Sequence, residues 1–370
     1  MRFEFATAQR ILFGSGTAVE LTAAAKSMGR RALVVTGRSP DRVRRYAGGL
    51  DAAWFSVQGE PTVDEIRVGV QQARGEGCDV VISIGGGSAI DAGKAIAVLA
   101  AHSGEPLDYL EAIGKGNVLR NPSLPFIAVP TTAGTGSEAT RNAVLASPQH
   151  GVKASLRSAS MLPRLAIVDP DLSAALPRPV TASTGLDALT QLIEPYVCLR
   201  ANAFTDMLCL EGIRLAKTHL AVAYGNGEDR EARAAMSRAS LYSGMALANA
   251  GLGAVHGFAA PIGAMFAAPH GAVCAALLPQ VMRANLRALE ERQPGSAALA
   301  RYRTVLDITG GLEWIEETCR RLEVAPLRAY GIAAENFDDI VEKAAQASSM
   351  KANPIMLTRE ELTGVLAAAS

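Results

Sequence analysis

The first half of the chain alternates short β-rich apolar runs with helix-length segments, and the alternation stops near residue 180. The runs are Arg31–Gly37, Ala53–Val57, Asp79–Ile84, Pro125–Pro130 and Arg164–Pro170. Between them lie helix-length segments such as Val63–Glu76 and Ala89–Ala101. Apolar strands separated by helices imply a parallel sheet covered on both faces. After Leu176-Pro177-Arg178-Pro179 the β-branched runs vanish and Ala/Leu-rich helical spacing takes over. A chain of 370 residues exceeds one ordinary core. The expectation is therefore an α/β, Rossmann-like parallel-sheet domain over 1–177, followed by an all-α helical domain over 178–370.

Charge narrows the partners. Lys+Arg and Asp+Glu both number 36, so the formal net charge is zero. Without a basic excess, neither nucleic acid nor an anionic membrane surface is favoured, and a small-molecule substrate is expected. Residues 239–282 contain no Asp, Glu, Lys or Arg, but they include Asn249, His256, His270, Pro261, Pro269 and several glycines. They read as buried core helices and not as a membrane span. The cysteines at 78, 198, 209, 274 and 319 form no C-x-x-C pair. Each reads as a small buried hydrophobe, and a reducing cytoplasm is expected. The N-terminus shows no signal-peptide pattern.

Two loops carry the chemistry of the first domain. Gly85-Gly86-Gly87-Ser88 joins the strand at Asp79–Ile84 to a helix that includes Asp91 and Lys94. Glycines at a strand end let the backbone approach a phosphate, and the following helix aims its free N–H groups at the anion. The spacing is neither G-x-G-x-x-G, because Ile90 occupies the last glycine position, nor a Walker A loop. A tight turn with no ligand fits the same residues. The second loop, Pro130-Thr131-Thr132-Ala133-Gly134-Thr135-Gly136-Ser137-Glu138, follows the next strand, where open sheets bind ligands. A polar surface loop is its plain alternative.

The second domain offers a metal constellation. Asp187 and Gln191 are four residues apart and share a helix face, with Glu194 one turn further. His256 and His270 lie in the uncharged stretch. Taken singly, Asp187 could serve a helix N-terminus, and each His could be a hydrogen-bonded core residue. Together they suggest a divalent metal site.

In this order, these segments resemble the iron-containing alcohol dehydrogenase family. The resemblance runs from Ile11-Leu12-Phe13-Gly14 to Ala352-Asn353-Pro354 and includes Leu165–Pro170, Gly253-Ala254-Val255-His256 and Pro269-His270-Gly271. It implies a dehydroquinate synthase-like architecture with the active site in a cleft, and hydride transfer between NAD or NADP and an alcohol, aldehyde or ketone. It implies that Gly85, Gly86, Gly87 and Ser88 hold the pyrophosphate with Asp91 nearby. Thr131, Thr132, Thr135 and Ser137 would line the cofactor, and Lys153 would reach the nicotinamide ribose. Asp187, Gln191, His256 and His270 fall on the four ligand positions for Fe2+ or Zn2+. His256, His270 and Lys153 are the expected catalytic residues. Family members are often dimers, so a homodimer is expected.

The sequence departs from the family pattern at the metal site and at the cofactor. Gln191 stands where the family has a ligand His, and an amide oxygen is the weaker ligand. Ala260 stands where a second His serves proton relay. Gly37-Arg38-Ser39 lacks the Asp that many NAD-using members place after this strand, so Arg38 tolerates or favours NADP. Two alternatives stay open: a metal-independent, maleylacetate reductase-like enzyme acting on an activated double bond, and an inactive nucleotide-binding protein.

Overall fold

The computed structural model describes residues 2–370 apart from Ala112 and Ala175. The chain divides into two compact units. One comprises Thr7–Thr132 and Gly136–Ser173; the other comprises Ala174–Ser370, Ala133–Thr135 and the N-terminal stretch up to Ala6.

The first unit is α/β. Its elements are β1 (Ile11–Phe13), α1 (Leu21–Met28), β2 (Arg31–Thr36), β3 (Asp51–Ser56), α2 (Val63–Gly75), β4 (Val80–Gly85), α3 (Gly87–Ala100), β5 (Phe126–Pro130), β6 (Asn142–Ser147), β7 (Val152–Arg157) and β8 (Leu165–Val168). Six strands form one parallel sheet in the order β1-β8-β5-β4-β2-β3. Side chains alternate between the sheet faces, and here that separates two cores. Leu33 and Val35 of β2 pack with Ile66 and Ile96, from α2 and α3. Ala32 and Val34 pack on the other face with Leu21 and Ala25 of α1. The chain winds from β2 out to β3 and then returns to place β4 on the opposite side of β2. That reversal is a topological switch point, where the carboxyl ends of the strands open a crevice for ligands.

Two strand features are absent from the sequence reading. β1 is only three residues long, and it pairs in parallel with β8. β6 and β7 form an antiparallel hairpin outside the main sheet. Asn142–Ser147 and Val152–Arg157 are rich in Ala and Ser, which carry little β-propensity. Pairing within the hairpin and packing of Ala143, Leu145, Ala154 and Leu156 into a core make them strands.

The second unit is helical. It contains α4 (Arg178–Val197), α5 (Ala203–Gly225), α6 (Arg230–Asn249), α7 (Ala254–Met265), α8 (His270–Arg292), α9 (Ala297–Thr309), α10 (Leu312–Arg321), α11 (Phe337–Gln346) and α12 (Arg359–Ala369) around one apolar core. Pro179 sits in the first turn of α4, where a missing N–H costs nothing. The uncharged stretch 239–282 falls in α6, α7 and α8, and α6 and α7 are bent by 95° to one another. Among the described residues no single helix is long and apolar enough to cross a membrane.

Candidate functional site

In the α/β unit the glycine loop lies at the carboxyl end of β4, at the sheet's switch point. Helix α3 starts at Gly87 with Gly86 as its N-cap, and no side chain caps it. Its first N–H groups are thus left for a ligand. Gly86, Gly87 and Ser88 are half-buried, whereas Gly85 is fully buried. A Cβ at Gly86 would meet the Thr132 side chain at 3.2 Å, and one at Gly85 would meet Ala89 at 2.6 Å. The bare backbone is what keeps this strand end open. Thr131 and Thr132 are half-buried at the adjacent end of β5, and the Thr131 N–H donates to the Gly85 carbonyl at 2.9 Å. Gly37 and Arg38 follow β2, and the exposed Arg38 guanidinium donates to the Gln58 carbonyl.

Asp91 and Ser137 have structural partners. The Ser137 hydroxyl donates to Asp91 Oδ1, and the Val144 N–H donates to Asp91 Oδ2 at 2.9 Å. Lys94 lies 3.1 Å from the same carboxylate and donates to the Ser137 carbonyl at 3.0 Å and to Thr140 Oγ1 at 2.8 Å. With both carboxylate oxygens engaged, Asp91 acts as a strut that ties α3 to the second loop and to β6. Burial pulls the Lys94 pKa down against the pull of Asp91 and Glu138. Burial likewise pushes Glu138 up to about 7, opposed by Lys94. Lys153 projects from β7, with its ammonium 2.5 Å from Glu60. Thr135 belongs to the helical unit, separate in membership from Thr131, Thr132 and Ser137.

The helical unit brings Asp187, His256, His270 and Cys274 together, one donor atom from each lying within 4.8 Å of all the others. Asp187 sits in the middle of α4 and is 2% exposed, which removes the helix-capping reading. His256 lies in the first turn of α7, and His270 opens α8 with Cys274 one turn later on the same face. Two glycines permit the approach. A Cβ at Gly271 would strike the Ser183 carbonyl oxygen at 2.6 Å, and one at Gly253 would meet Glu194 Oε1 at 2.8 Å.

The surrounding hydrogen bonds orient the donors. Glu194 Oε2 lies 2.6 Å from His256 Nδ1, and its Oε1 accepts the Val255 N–H at 2.7 Å. One carboxylate therefore serves the start of α7 and turns His256 Nε2 into the cluster, as carboxylates behind metal-bound histidines do. The Gln191 amide nitrogen donates to Asp187 Oδ2 at 3.1 Å and to the Gly134 carbonyl at 3.1 Å. Both partners are acceptors, so the amide nitrogen faces them, and these contacts leave the amide oxygen, the atom expected to bind a metal, uncommitted. Asp187 Oδ1 is buried without a hydrogen-bond partner. It lies 3.5 Å from His256 Nε2 and 3.8 Å from His270 Nε2, longer than hydrogen bonds. A buried carboxylate oxygen with no partner is costly, and the nearest groups are three further donors of metal-ligand type.

Electrostatics within the cluster follow from this crowding. Burial pushes the Asp187 pKa up, but His256, His270 and Cys274 outweigh it and hold the carboxyl below its ordinary value. Burial opposes charge on His256, yet Cys274, Glu194 and Asp187 raise it well above the usual imidazole value. The Cys274 sulfur raises His270 to about 9 against its burial. The two imidazoles hold their protons tightly beside these groups unless a cation replaces them. The residues therefore fit a divalent metal ion.

Sequence reasoning gave no role to Cys274 and recorded only the position of Glu194. The signal for Cys274 was its place four residues after His270 in the apolar first half of α8.

Residues 8–170 match the iron-containing alcohol dehydrogenase family, and residues 181–370 match the C-terminal domain of the same family. This chain belongs to the iron-containing alcohol dehydrogenase family. As a member it is an alcohol dehydrogenase-type oxidoreductase. It is 35% identical to alcohol dehydrogenase 4 of Saccharomyces cerevisiae over 328 residues, covering 86% of this chain and 83% of the yeast protein. The crystal structure of a 1,3-propanediol oxidoreductase superposes with a TM-score of 0.90 at 31% identity and covers all of both chains. The sulfoacetaldehyde reductase of Bifidobacterium kashiwanohense, solved with NAD+, superposes with a TM-score of 0.87 at 28% identity, covering 99% of this chain and 98% of that one.

Proposed function

We propose that this oxidoreductase transfers hydride between a nicotinamide cofactor and a small alcohol or its aldehyde, with a divalent metal held by Asp187, His256 and His270. The observation that carries the reading is the buried, unpartnered Asp187 Oδ1 amid further metal-type donors. When bound, the ion would supply a Lewis acid that polarises the substrate oxygen. Glu194 fixes the tautomer of His256 so that Nε2 carries the lone pair. Gln191 holds Asp187 by Oδ2 and leaves Oδ1 to face the cluster. Ala260 has no ionisable group, so the proton of the substrate hydroxyl leaves by a route that does not use this position.

The reading places the cofactor pyrophosphate on Gly86, Gly87 and Ser88 at the uncapped start of α3, with Thr131 and Thr132 beside it. Lys153 exchanges its contact with Glu60 for the nicotinamide ribose. The absence of a carboxylate at 37–39 and the exposed Arg38 support use of NADP(H) as well as NAD(H). The five cysteines are unpaired and buried, which supports a reducing compartment. The homodimer rests on the family resemblance, and light scattering checks it.

The relatives named above support small alcohols and aldehydes as the substrate class. The test is elemental analysis of protein purified without added metal, then loaded anaerobically with iron or zinc, alongside turnover of short alcohols with each cofactor. The expected result is about one metal per chain, with His256→Ala losing both metal and turnover. Protein that binds no metal under any loading, yet reduces maleylacetate, would replace this reading with the metal-independent one.

A further inference from the structure

The four donor atoms have a shape that the sequence reading did not contain. Metal bonds of about 2.0–2.3 Å set neighbouring donors in a tetrahedral site about 3.3–3.8 Å apart. Cys274 Sγ lies 3.6 Å from His270 Nε2 and 3.9 Å from His256 Nε2. Asp187 Oδ1 lies 3.5 Å and 3.8 Å from the same two nitrogens. These four separations are close to the edges of such a tetrahedron, and the other two lie within 4.8 Å. The sulfur is buried, and the unpartnered Asp187 Oδ1 belongs to the same figure. Gln191 turns its amide nitrogen to Asp187 Oδ2 and the Gly134 carbonyl, a contact that fixes the Asp187 carboxylate.

We infer that Cys274 is the fourth metal ligand, that Gln191 is a positioning residue for Asp187, and that the centre selects zinc over ferrous iron. The inference rests on the metal-assisted reading above and specifies its coordination sphere. Loss of a ligand at 191 and gain of one at 274 leave four protein donors with altered chemistry. Two imidazoles, one carboxylate and one thiolate carry two negative charges, which a divalent ion neutralises. A thiolate donor favours zinc over harder cations, and zinc already binds most mixed nitrogen and sulfur sites more tightly than ferrous iron. Binding releases the thiol proton to solvent and leaves the oxidation state of sulfur and metal unchanged.

The test is titration of the full-length apoprotein with Co2+, a spectroscopic substitute for zinc. The expected result is one cobalt per chain with an intense near-ultraviolet sulfur-to-cobalt charge-transfer band. Cys274→Ser should abolish the band and lower zinc affinity by at least about tenfold, with iron affinity less affected. Gln191→Leu should keep the band and weaken metal binding by about 10–100-fold, as loss of an outer partner does. It also serves as the check if Cys274→Ser fails to fold. If cobalt binds with only weak visible bands, and these persist in Cys274→Ser but vanish in Gln191→Leu, the ligand is Gln191 and the inference fails while the metal reading stands. If cobalt does not bind at all, both fail.

Discussion

At the scale of single residues, the chemistry depends on where a polar atom is left without a neighbour. Asp187 has one oxygen fixed by Gln191 and one unpartnered, and that asymmetry separates a metal ligand from an ordinary buried acid. Glu138, in the α/β unit, is 2% exposed, and burial raises its pKa from 4.5 to about 7 against the attraction of Lys94. The sign is that of a buried acid. Between 4.5 and 7 the unfolded chain has released a proton that the native state retains. The contribution of Glu138 to stability is therefore fullest below the lower value and declines as pH rises through the window. Glu138→Gln removes the titration. The variant should flatten the decline in melting temperature between about pH 5 and pH 8, with a gain of up to about 3 kcal/mol at the upper end. An unchanged slope in the variant would mean that Glu138 titrates normally in the native state.

At the scale of elements, glycine determines how closely helices approach the centre. Gly271 follows His270 at the start of α8 and faces the backbone of α4, where an added Cβ would meet the Ser183 carbonyl oxygen at 2.6 Å and Asp187 Cβ at 3.4 Å. Neither neighbour is the free end of a flexible side chain, so α8 must move. Gly271→Ala should keep the helix content, cost about 1–3 kcal/mol of stability and lower metal affinity at least tenfold, since donors must stay within a fraction of an ångström of productive geometry. Circular dichroism and a zinc titration separate the two effects. Normal zinc affinity in this variant would show that α4 and α8 do not set the ligand spacing. The motif Pro269-His270-Gly271 thus combines one donor with the space it needs.

At the scale of the whole molecule, the two compact units have separate cores, and the metal donors come from three helices of one unit. An ion held by α4, α7 and α8 links segments distant in sequence and stabilises the native state by mass action. At a free concentration of about 100 times Kd this is worth about 2.7 kcal/mol, or a rise of roughly 5–10 °C for a unit of this size. Differential scanning calorimetry with zinc and then with excess chelator should show that shift, and His256→Ala should show none. A melting curve indifferent to zinc would place the ion elsewhere or nowhere.

Local patterns were enough for much of this. Alternating apolar runs and helices required a parallel sheet covered on both faces, because strands with no polar side must be buried twice. The glycine triplet after β4, the helical spacing of Asp187 and Gln191 and the paired histidines were all legible, since each depends on neighbours within a turn or two. The β6–β7 hairpin was not legible, because its Ala- and Ser-rich strands depend on pairing and packing with distant residues. The identity of the fourth donor was also beyond the sequence. Gln191 shares a helix face with Asp187 and reaches its carboxylate within α4, but only the packing of α4 with α7 and α8 brings the Cys274 sulfur to the cluster. Periodicity places a side chain on a face; packing of three helices decides which atoms meet there.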